Sequence, residues 1–356
     1  MIVNDGVYAD RQLIEAMNAG VIKGGDARCV QPASLDLRLG ARAWRLRASF
    51  LPGRDRTVAA RLDDGLAMQA IDLSNGAVFE RGCVYLVELQ ESVSLPSDVC
   101  GGANPKSSTG RIDVFVRLVT DYSAAFDEAA AGYQGPLYAE ISPRSFSIVA
   151  REGSSLNQLR LKQGAVRLDD EALGALHRQS PLVDGDAAID GGLGLSVAID
   201  RDELVGWRAR RHSALIDVDE KGALDPHDYF EPMTPQKSGF LILDPDEFYI
   251  LVSKERLVIP PDYAAEMTPI SPGLGEFRVH YAGFFDPGFG WSEDGDTGSR
   301  AVLEVRSRET PFVIEDGQLV ARLVYEHMGA RPENLYGQGI GSNYQGQGLK
   351  LSKHFR

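Results

Sequence analysis

A single carboxylate lies in an otherwise apolar and partly β-branched stretch, Ala301-Val302-Leu303-Glu304-Val305. These residue types predict a β-strand, in which Glu304 either faces water at an edge or points into a cleft. In a cleft, apolar neighbours would raise the pKa of the carboxyl group, which could then both accept and donate protons near neutral pH. Glu304 is therefore a candidate general acid and base.

A tight turn precedes this strand, in the stretch Ala282-Gly283-Phe284-Phe285-Asp286-Pro287-Gly288-Phe289. Proline fixes φ at a turn, and glycine adopts backbone angles that other residues disfavour. The pattern predicts a strand that ends in an Asp-Pro-Gly turn.

A third polar segment lies much earlier in the chain and consists of Pro105-Lys106-Ser107-Ser108-Thr109-Gly110-Arg111. Its hydroxyl groups, glycine and two cations suit an oxyanion, because hydroxyl and backbone N–H groups donate to phosphate oxygens and arginine makes bidentate contacts. A polar turn without a ligand is the alternative.

The C-terminal stretch from Tyr336 to Gly348 is rich in glycine, amide side chains and tyrosine. Such a segment is either a disordered tail or a flexible lid whose amides close over a ligand.

Composition limits the classes of function. A formal net charge of −14 argues against broad binding to nucleic acid or to an anionic membrane, although a local cluster of cations can still bind a small anion. Cys29, Cys83 and Cys100 have no metal-ligand spacing and are typical of buried thiols in a reducing compartment. The sequence shows neither a signal peptide nor an apolar run as long as a membrane span, so we expect a cytoplasmic protein.

Several catalytic motifs are missing from the sequence. No H-x-E is followed by P-C-x-x-C, so the zinc chemistry of the nucleobase deaminases is not expected, and the six histidines never fall at a metal-ligand spacing. There is no P-loop, no G-x-S-x-G elbow and no dinucleotide fingerprint. We predict no metal held by the protein itself.

The elements that must position these residues are mostly short strands, as the 38 glycines and 18 prolines indicate. A short helix is predicted from Asp10 with Leu13, Ile14 and Met17 on one face, and a second helix spans Asp169–Arg178. Strands are predicted for Ser34–Gly40, with Leu35, Leu37 and Leu39 on one face, and for Ala43–Arg47, Val78–Leu89, Val114–Val119, Leu137–Ile141, Phe146–Val149 and Leu156–Leu161.

The chain contains an internal repeat. Identical residues recur at one constant difference in residue number, which we call the repeat offset. At this offset Tyr85 matches Tyr249, Pro105 matches Pro269 and Glu140 matches Glu304, and further matches extend to Leu159 and Leu323. We infer a duplicated all-β domain, with a first copy at 1–176, a linker at 177–190 and a second copy at 191–356.

The two copies have kept different chemistry. The second copy has Pro269-Ile-Ser-Pro-Gly-Leu-Gly275 where the first has its cationic loop, and the first has Ala131-Gly-Tyr-Gln-Gly135 where the second has its Asp-Pro-Gly turn. Such complementary loss indicates that each copy supplies a different part of a shared site.

Taken together, these motifs resemble the 2′-deoxycytidine triphosphate deaminases, relatives of the trimeric dUTPases. The resemblance covers nearly the whole chain and includes the N-terminal helix that begins at Asp10 and the stretch from Gly317 to Leu323. Its most specific motifs occur in family order: Gln31-Pro-Ala-Ser-Leu-Asp-Leu-Arg-Leu-Gly40, Ser107–Arg111, Ala282–Phe289 with Leu303-Glu304, and Gly341-Ser-Asn-Tyr-Gln-Gly-Gln347. The double length resembles the long, duplicated branch of that family.

The resemblance implies a tandem pair of dUTPase-like distorted β-barrels of jelly-roll type with a few short helices, and active sites at interfaces between three packed domains. By resemblance, the catalytic residues are Glu304 as general acid and base, with Ser107 and Arg111 at the attacking water and the triphosphate. The substrate-binding residues implied in the same way are Lys106, Ser108, Thr109, Gly110, Asp286, Val302, Leu303, Tyr336, Asn343 and Gln347. The family has lysine where this chain has Asn343, and Glu140 keeps the position of the acid without an Asp-Pro-Gly neighbour.

The activity implied is hydrolysis of dCTP to dUTP and ammonia, with Mg²⁺ carried on the triphosphate, no zinc, and dTTP as feedback inhibitor. A dUTPase or a bifunctional enzyme that continues to dUMP is one alternative, and a catalytically inactive nucleotide-sensing module is another. Because a two-domain chain cannot close a three-domain site, we predict a homo-oligomer, most simply a homotrimer.

Overall fold

The protein is mostly β-structure, as predicted. The structure, a computed structural model, describes residues 5–199, 204–235, 239–270, 277–279 (backbone only), 283–293, 295, 298–307, 309–337 and 348–356. Within these residues the helices are short: α1 (Asp10–Asn18), α2 (Val58–Arg61), α3 (Ser107–Gly110), α4 (Asp170–Gln179) and α5 (Pro226–Tyr229), with a 3-10 turn at Ala27–Cys29 and a π-turn at Leu62–Leu66.

The strands of the first half are β1 (Gly6–Val7), β2 (Ile22–Lys23), β3 (Leu35–Leu37), β4 (Leu39–Leu46), β5 (Ala67–Asp72), β6 (Ala77–Phe79), β7 (Val84–Ser94), β8 (Val99–Pro105), β9 (Val114–Thr120), β10 (Glu128–Ala129), β11 (Gln134–Pro143), β12 (Ile148–Ala150) and β13 (Asn157–Gln163). Those of the second half are β14 (Leu193–Ser196), β15 (Gly206–Ala209), β16 (Ile216–Asp217), β17 (Phe230–Met233), β18 (Phe240–Leu243), β19 (Tyr249–Leu257), β20 (Tyr263–Pro269), β21 (Phe277–Val279), β22 (Phe284–Phe285), β23 (Ser299–Ser307), β24 (Phe312–Glu315) and β25 (Leu319–His327).

The chain forms two compact units. The first unit consists of Met1–Val166, Ala214–Gly222 and Met328–Glu333, and the second of Arg167–Ser213, Ala223–His327 and Asn334–Arg356. The stretch predicted as a linker, 177–190, begins within α4, and its Leu182 and Val183 are buried in the core of the second unit.

Among its described residues, the first unit contains three sheets. Their strand orders are β1-β13-β8-β10 with β3 also on β13, β5-β4-β7-β11-β9 with β2 also on β7, and β16-β12-β6. In the second unit the orders are β14-β25-β20-β22, β17-β15-β19-β23-β21 and β18-β24. The five-strand path β5-β4-β7-β11-β9 is therefore repeated as β17-β15-β19-β23-β21.

The repeat offset also holds for cross-strand partners, which a chance likeness of sequence would not produce. Matching pairs are Glu140↔Leu86 with Glu304↔Ile250, Leu159↔Ala103 with Leu323↔Met267, and Ile148↔Phe79 with Phe312↔Leu243. Side-chain bonds repeat too, because the buried hydroxyl of Tyr85 accepts from Glu80 N at 3.0 Å and that of Tyr249 accepts from Asp244 N at 2.8 Å. The predicted duplication is confirmed.

Three local predictions need correction. The single strand predicted over Val78–Leu89 is two strands, because a turn with Gly82 at φ +78° separates β6 from β7. Helix α1 buries Leu13 and Ala16, which lie one turn apart, whereas Ile14 is 39% exposed. In β3 the predicted polar face is not solvated, since Asp36 is only 7% exposed.

Candidate active site

The loop that carries the predicted oxyanion-binding residues connects β8 to β9 in the first unit. Pro105 ends β8, Ser107–Gly110 form the single turn α3, and Arg111 follows it. Lys106 fixes the loop at both ends, because its N–H donates to Leu156 O at 2.9 Å and its carbonyl oxygen accepts from Thr109 N at 2.8 Å. Ser108, Thr109 and Arg111 are buried. The sequence therefore forms a compact, hydrogen-bonded turn with cations at both ends.

Two aspartates flank this loop, and sequence reasoning missed both. The Lys106 ammonium group donates to Asp36 Oδ2. Asp113, which follows the loop, is fully buried with φ +55°, and its carboxylate accepts from Ser145 Oγ at 2.6 Å. A non-glycine residue in this backbone region stores strain, which is common beside functional sites. For Asp113, the signal in the sequence was its position just after a loop rich in cations and hydroxyl groups.

Glu304 lies on β23, between β19 and β21, in the second unit. Leu303 and Val305 belong to the core, so Val302, Glu304 and Arg306 lie on the opposite face of the strand. That opposite face is also buried, and Glu304 is only 5% exposed. Glu304 thus lies in the predicted strand, and of the two alternatives for its side chain the structure excludes exposure to water. The neighbours that share its face are Val302 and Arg306.

The Asp-Pro-Gly turn follows β22. Phe289 N donates to Asp286 O at 3.1 Å, and Gly288 N donates to Ile259 O at 3.0 Å. Gly288 has φ +95°, a conformation that favours glycine, and Asp286 is 9% exposed.

Tyr336 packs on this turn. Its N–H donates to Pro287 O at 2.8 Å, and its ring centroid is 5.6 Å from that of Phe289. A Cβ atom at Gly288 would lie 2.9 Å from Leu335 Cβ and 3.0 Å from Tyr336 N, so only glycine allows this approach. The structure thus brings two predicted substrate-binding residues, Asp286 and Tyr336, to one place in the second unit.

Asn343 and Gln347, also predicted to bind substrate, lie outside the residues that the structure describes, as do Tyr281 and Ala282. The 106–111 loop belongs to the first unit, whereas Asp286, Tyr336 and Val302–Glu304 belong to the second.

The first unit contains the same turn without its carboxylate. Tyr133 N donates to Ala130 O at 3.0 Å, as Phe289 N does to Asp286 O, and Gly132 has φ +77°. The turns also make the same next bond, since Leu95 N donates to Tyr133 O and Ile259 N donates to Phe289 O, both at 2.8 Å. Alanine therefore stands in the first copy where the second has Asp286.

The carboxylate of the first copy, Glu140, is held in an ion pair. Arg117 lies opposite Glu140 in the β9–β11 register, and its Nε is 3.2 Å from Glu140 Oε1. The guanidinium group also donates to Ser49 Oγ at 2.8 Å and lies 3.6 Å from the ring centroid of Phe126. At the repeat offset Arg117 corresponds to Tyr281, but β21 pairs with β23 one residue out of that register, with Val279 opposite Val305, so the offset does not identify the residue opposite Glu304.

Metal-binding side chains do not cluster in the described part of the chain: no group of three or more His, Cys, Asp or Glu there could hold an ion. Within the same residues, no helix is long and apolar enough to cross a membrane. The chemistry these side chains can supply is proton transfer by a buried carboxyl group and binding of an oxyanion by hydroxyl groups and cations.

The sequence models of one family match both halves of the chain. The model of the 2′-deoxycytidine 5′-triphosphate deaminase N-terminal domain matches residues 4–165, and that of the C-terminal domain matches residues 169–355. The crystal structure of 2′-deoxycytidine 5′-triphosphate deaminase from Agrobacterium tumefaciens is similar with a TM-score of 0.89 and 51% sequence identity, covering 95% of this chain and all of that one.

Shorter relatives match part of the chain. The dCTP deaminase, dUMP-forming, of Beutenbergia cavernae is 30% identical over 155 residues, which are 40% of this chain and 74% of the relative. The dCTP deaminase of Haloarcula marismortui is 31% identical over 131 residues, which are 35% of this chain and 63% of the relative.

The repeated sheets and the similarity to a solved deaminase define an all-β protein made of two dUTPase-like barrels. The chain belongs to the 2′-deoxycytidine 5′-triphosphate deaminase family, in its long form.

Proposed function

We propose that the protein hydrolyses dCTP to dUTP and ammonia, with Glu304 as the general acid and base. The observation that carries the proposal is the burial of Glu304 on the face of β23 that points away from the core. Burial of a carboxyl group is costly to a fold, and carboxyl groups buried at this cost are frequent at functional sites. Membership of the deaminase family supports the same reaction.

The reaction needs one group that moves protons in both directions. Glu304 takes a proton from water while the water oxygen adds to C4 of cytosine, and N3 of the ring becomes protonated. The new hydroxyl group at C4 then loses its proton, the C4–N4 bond breaks, and the amino group leaves as ammonia after receiving a proton through Glu304. Water is consumed and no redox partner is needed.

The other predicted residues bind and orient the substrate. In this proposal Ser107 and Arg111 contact the attacking water and the triphosphate. The remaining triphosphate contacts come from Lys106, Ser108, Thr109 and Gly110. The backbone of Val302 and Leu303 lines the pocket for the base. Asp286 holds the nucleoside, with Tyr336, Asn343 and Gln347 contributing from the C-terminal segment. The contact between Tyr336 and the turn of Asp286 supports the last assignment.

Completion of the site requires more than one chain. The 106–111 loop and Glu304 belong to different compact units, and a site that needs three domains cannot be closed by one chain of two. We therefore propose a homo-oligomer, most simply a trimer of six domains, and a monomer in analytical ultracentrifugation would contradict it. Mg²⁺ enters on the triphosphate, no zinc takes part, and dTTP is the proposed feedback inhibitor. A reducing, cytoplasmic location is supported by the free thiols of Cys29, Cys83 and Cys100.

The test is chromatographic product analysis of dCTP incubated with Mg²⁺ and wild type, Glu304→Gln or Glu140→Gln protein. We expect dUTP and ammonia from wild type and from Glu140→Gln, and neither from Glu304→Gln. Bound nucleotide without turnover in wild type would contradict the proposal and favour a nucleotide-sensing module.

A second candidate is a bifunctional enzyme that forms dUMP. It is favoured by the name of the similar protein from Beutenbergia cavernae, a dCTP deaminase that is dUMP-forming. The same chromatogram separates the candidates, because dUMP and pyrophosphate would replace dUTP as final products.

A further inference from the structure

A partly buried ion pair holds the side chain of Lys106. Its ammonium group donates to Asp36 Oδ2, and the side chains of Lys106 and Asp36 are 22% and 10% exposed. Asp36 is the middle residue of β3, which pairs with β13 through Leu35, Asp36 and Leu37. Because Leu35 and Leu37 are fully buried in the core, Asp36 is fixed on the other face, towards Lys106.

Asp36 has little other support. Gln31 Nε2 donates to its Oδ2 at a long 3.4 Å, and within the described residues its buried Oδ1 has no hydrogen-bond partner. A buried carboxylate of this kind is unfavourable without its cation, and apolar residues often replace such a pair with no loss of stability. The presence of Asp36 is therefore explained better by what it orders than by stability.

The second copy shows what the pair accompanies. In the second copy β14 pairs with β25 in the way that β3 pairs with β13 in the first. Leu195 lies opposite Ala321, as Leu37 lies opposite Asn157. The residue before each leucine therefore matches, and Gly194 corresponds to Asp36. At the repeat offset Lys106 corresponds to Ile270. Both members of the pair are missing from the copy that also lacks the Ser-Ser-Thr-Gly-Arg sequence. The pair therefore accompanies the loop and is not a requirement of the barrel.

An ordered ammonium group is better suited to a triphosphate than a free one. A lysine side chain has several rotatable bonds, and their freedom is lost when it binds a ligand. Asp36 accepts one of the three ammonium N–H groups, which leaves two for phosphate oxygens.

We propose that Asp36 is a positioning residue of the nucleotide site, which orients the Lys106 ammonium group towards the triphosphate before the substrate binds. The inference rests on the proposed function, because it takes the 106–111 loop as the triphosphate-binding element.

The test is a double-mutant cycle in the Glu304→Gln protein, in which turnover is prevented and dCTP binding can be measured by calorimetry in the presence of Mg²⁺. The variants are Asp36→Asn, Lys106→Gln and both together, and deoxycytidine, which carries no phosphate, is the second ligand. Each single change is expected to weaken dCTP binding about tenfold. The double variant is expected to be no weaker than Lys106→Gln alone, and deoxycytidine affinity should not change.

Two results would overturn the proposal. A double variant that binds dCTP about a hundredfold more weakly would show independent effects, and an equal loss of deoxycytidine affinity would show a general structural defect. Melting temperatures of all four proteins identify a variant that fails to fold, and Lys106→Gln, which alters a more exposed side chain, then still tests the loop. Failure of wild type to deaminate dCTP would contradict the proposed function separately, whereas absence of dCTP binding would overturn both.

Discussion

Arg117 lies directly across the β9–β11 ladder from Glu140 and forms an ion pair with it. The two glutamates occupy the same register against β7 and β19 in the repeated sheets. The Arg117 guanidinium group donates to Glu140 Oε1 and so occupies an oxygen that proton transfer would need. We therefore assign a structural role to Glu140 and proton transfer to Glu304.

The first prediction compares these glutamates in one chain. Glu304→Gln should lower kcat for dCTP by a factor of about 10² to 10⁴, the range typical of a lost general acid and base, because an amide cannot transfer the proton. Glu140→Gln keeps the shape of the side chain and should leave kcat within about threefold of wild type. Steady-state ammonia release measures both, and equal losses in the two variants would contradict the assignment.

The second prediction concerns stability. Arg117→Leu leaves the Glu140 carboxylate, with a side chain only 3% exposed, without its cation, and should lower the free energy of unfolding by about 3 kcal/mol. The double variant Arg117→Leu/Glu140→Leu should recover most of that loss, because no unpaired charge remains. Urea denaturation of the three proteins measures the effect. A double variant as unstable as Arg117→Leu alone would assign the loss to the stacking of Arg117 on Phe126 instead.

The third prediction concerns pH. Burial raises the pKa of the Glu91 carboxyl group above its ordinary value of 4.5, although Arg38 donates to it from both its backbone N and its Nε, each at 2.8 Å. With a raised pKa the folded protein binds more protons than the unfolded chain between the two values, so the contribution of Glu91 to stability falls as the pH rises through that window. Relative to Glu91→Gln, wild type should thus lose stability from pH 4.5 upwards. Urea titrations at a series of pH values measure the difference, and parallel curves would contradict the prediction.

The alternation of apolar residues and the internal repeat predicted the elements of the candidate site, because its proposed functional residues lie on strands and turns. Alternation indicated β3 and its buried leucines, and the repeat offset paired Glu140 with Glu304, which the strand registers confirm. What a linear pattern could not supply is the pairing between distant strands. The contacts of Arg117 with Glu140 and of Lys106 with Asp36 depend on that pairing, and both were missed.

The Asp-Pro-Gly turn shows a second limit. The repeat offset sets Asp286 against Tyr122, whereas the hydrogen bonds of the turn match Asp286 with Ala130, at a shorter spacing. The loop before the turn is longer in the first copy and the loop after it is longer in the second, so the shift cancels by the next strand. The sequence matches Ala131-Gly-Tyr-Gln-Gly135 with this turn, and the bonds from Tyr133 and Phe289 fix the match residue by residue.

The fourth prediction uses these matched turns. Gly288 and Gly132 both have positive φ, so alanine is strained at either, but only a Cβ at Gly288 would collide with the backbone of Tyr336. Gly132→Ala should cost about 1 kcal/mol of stability through backbone strain alone, because its nearest contact, Ser97 Cα, is 3.6 Å away. Gly288→Ala should cost about 3 kcal/mol and lower kcat/KM for dCTP about a hundredfold, since it pushes Tyr336 away from the turn of Asp286.

Denaturation and dCTP turnover of the two alanine variants measure this difference. Truncation of the ring in Tyr336→Ala serves as a control, because it removes the packing on Phe289 without any strain at Gly288. If Gly288→Ala and Gly132→Ala lose activity to the same extent, the contact between the turn and Tyr336 does not contribute to the site. If Tyr336→Ala reproduces the loss of activity at a smaller cost in stability, Tyr336 acts at the nucleotide and the glycine acts by allowing its approach.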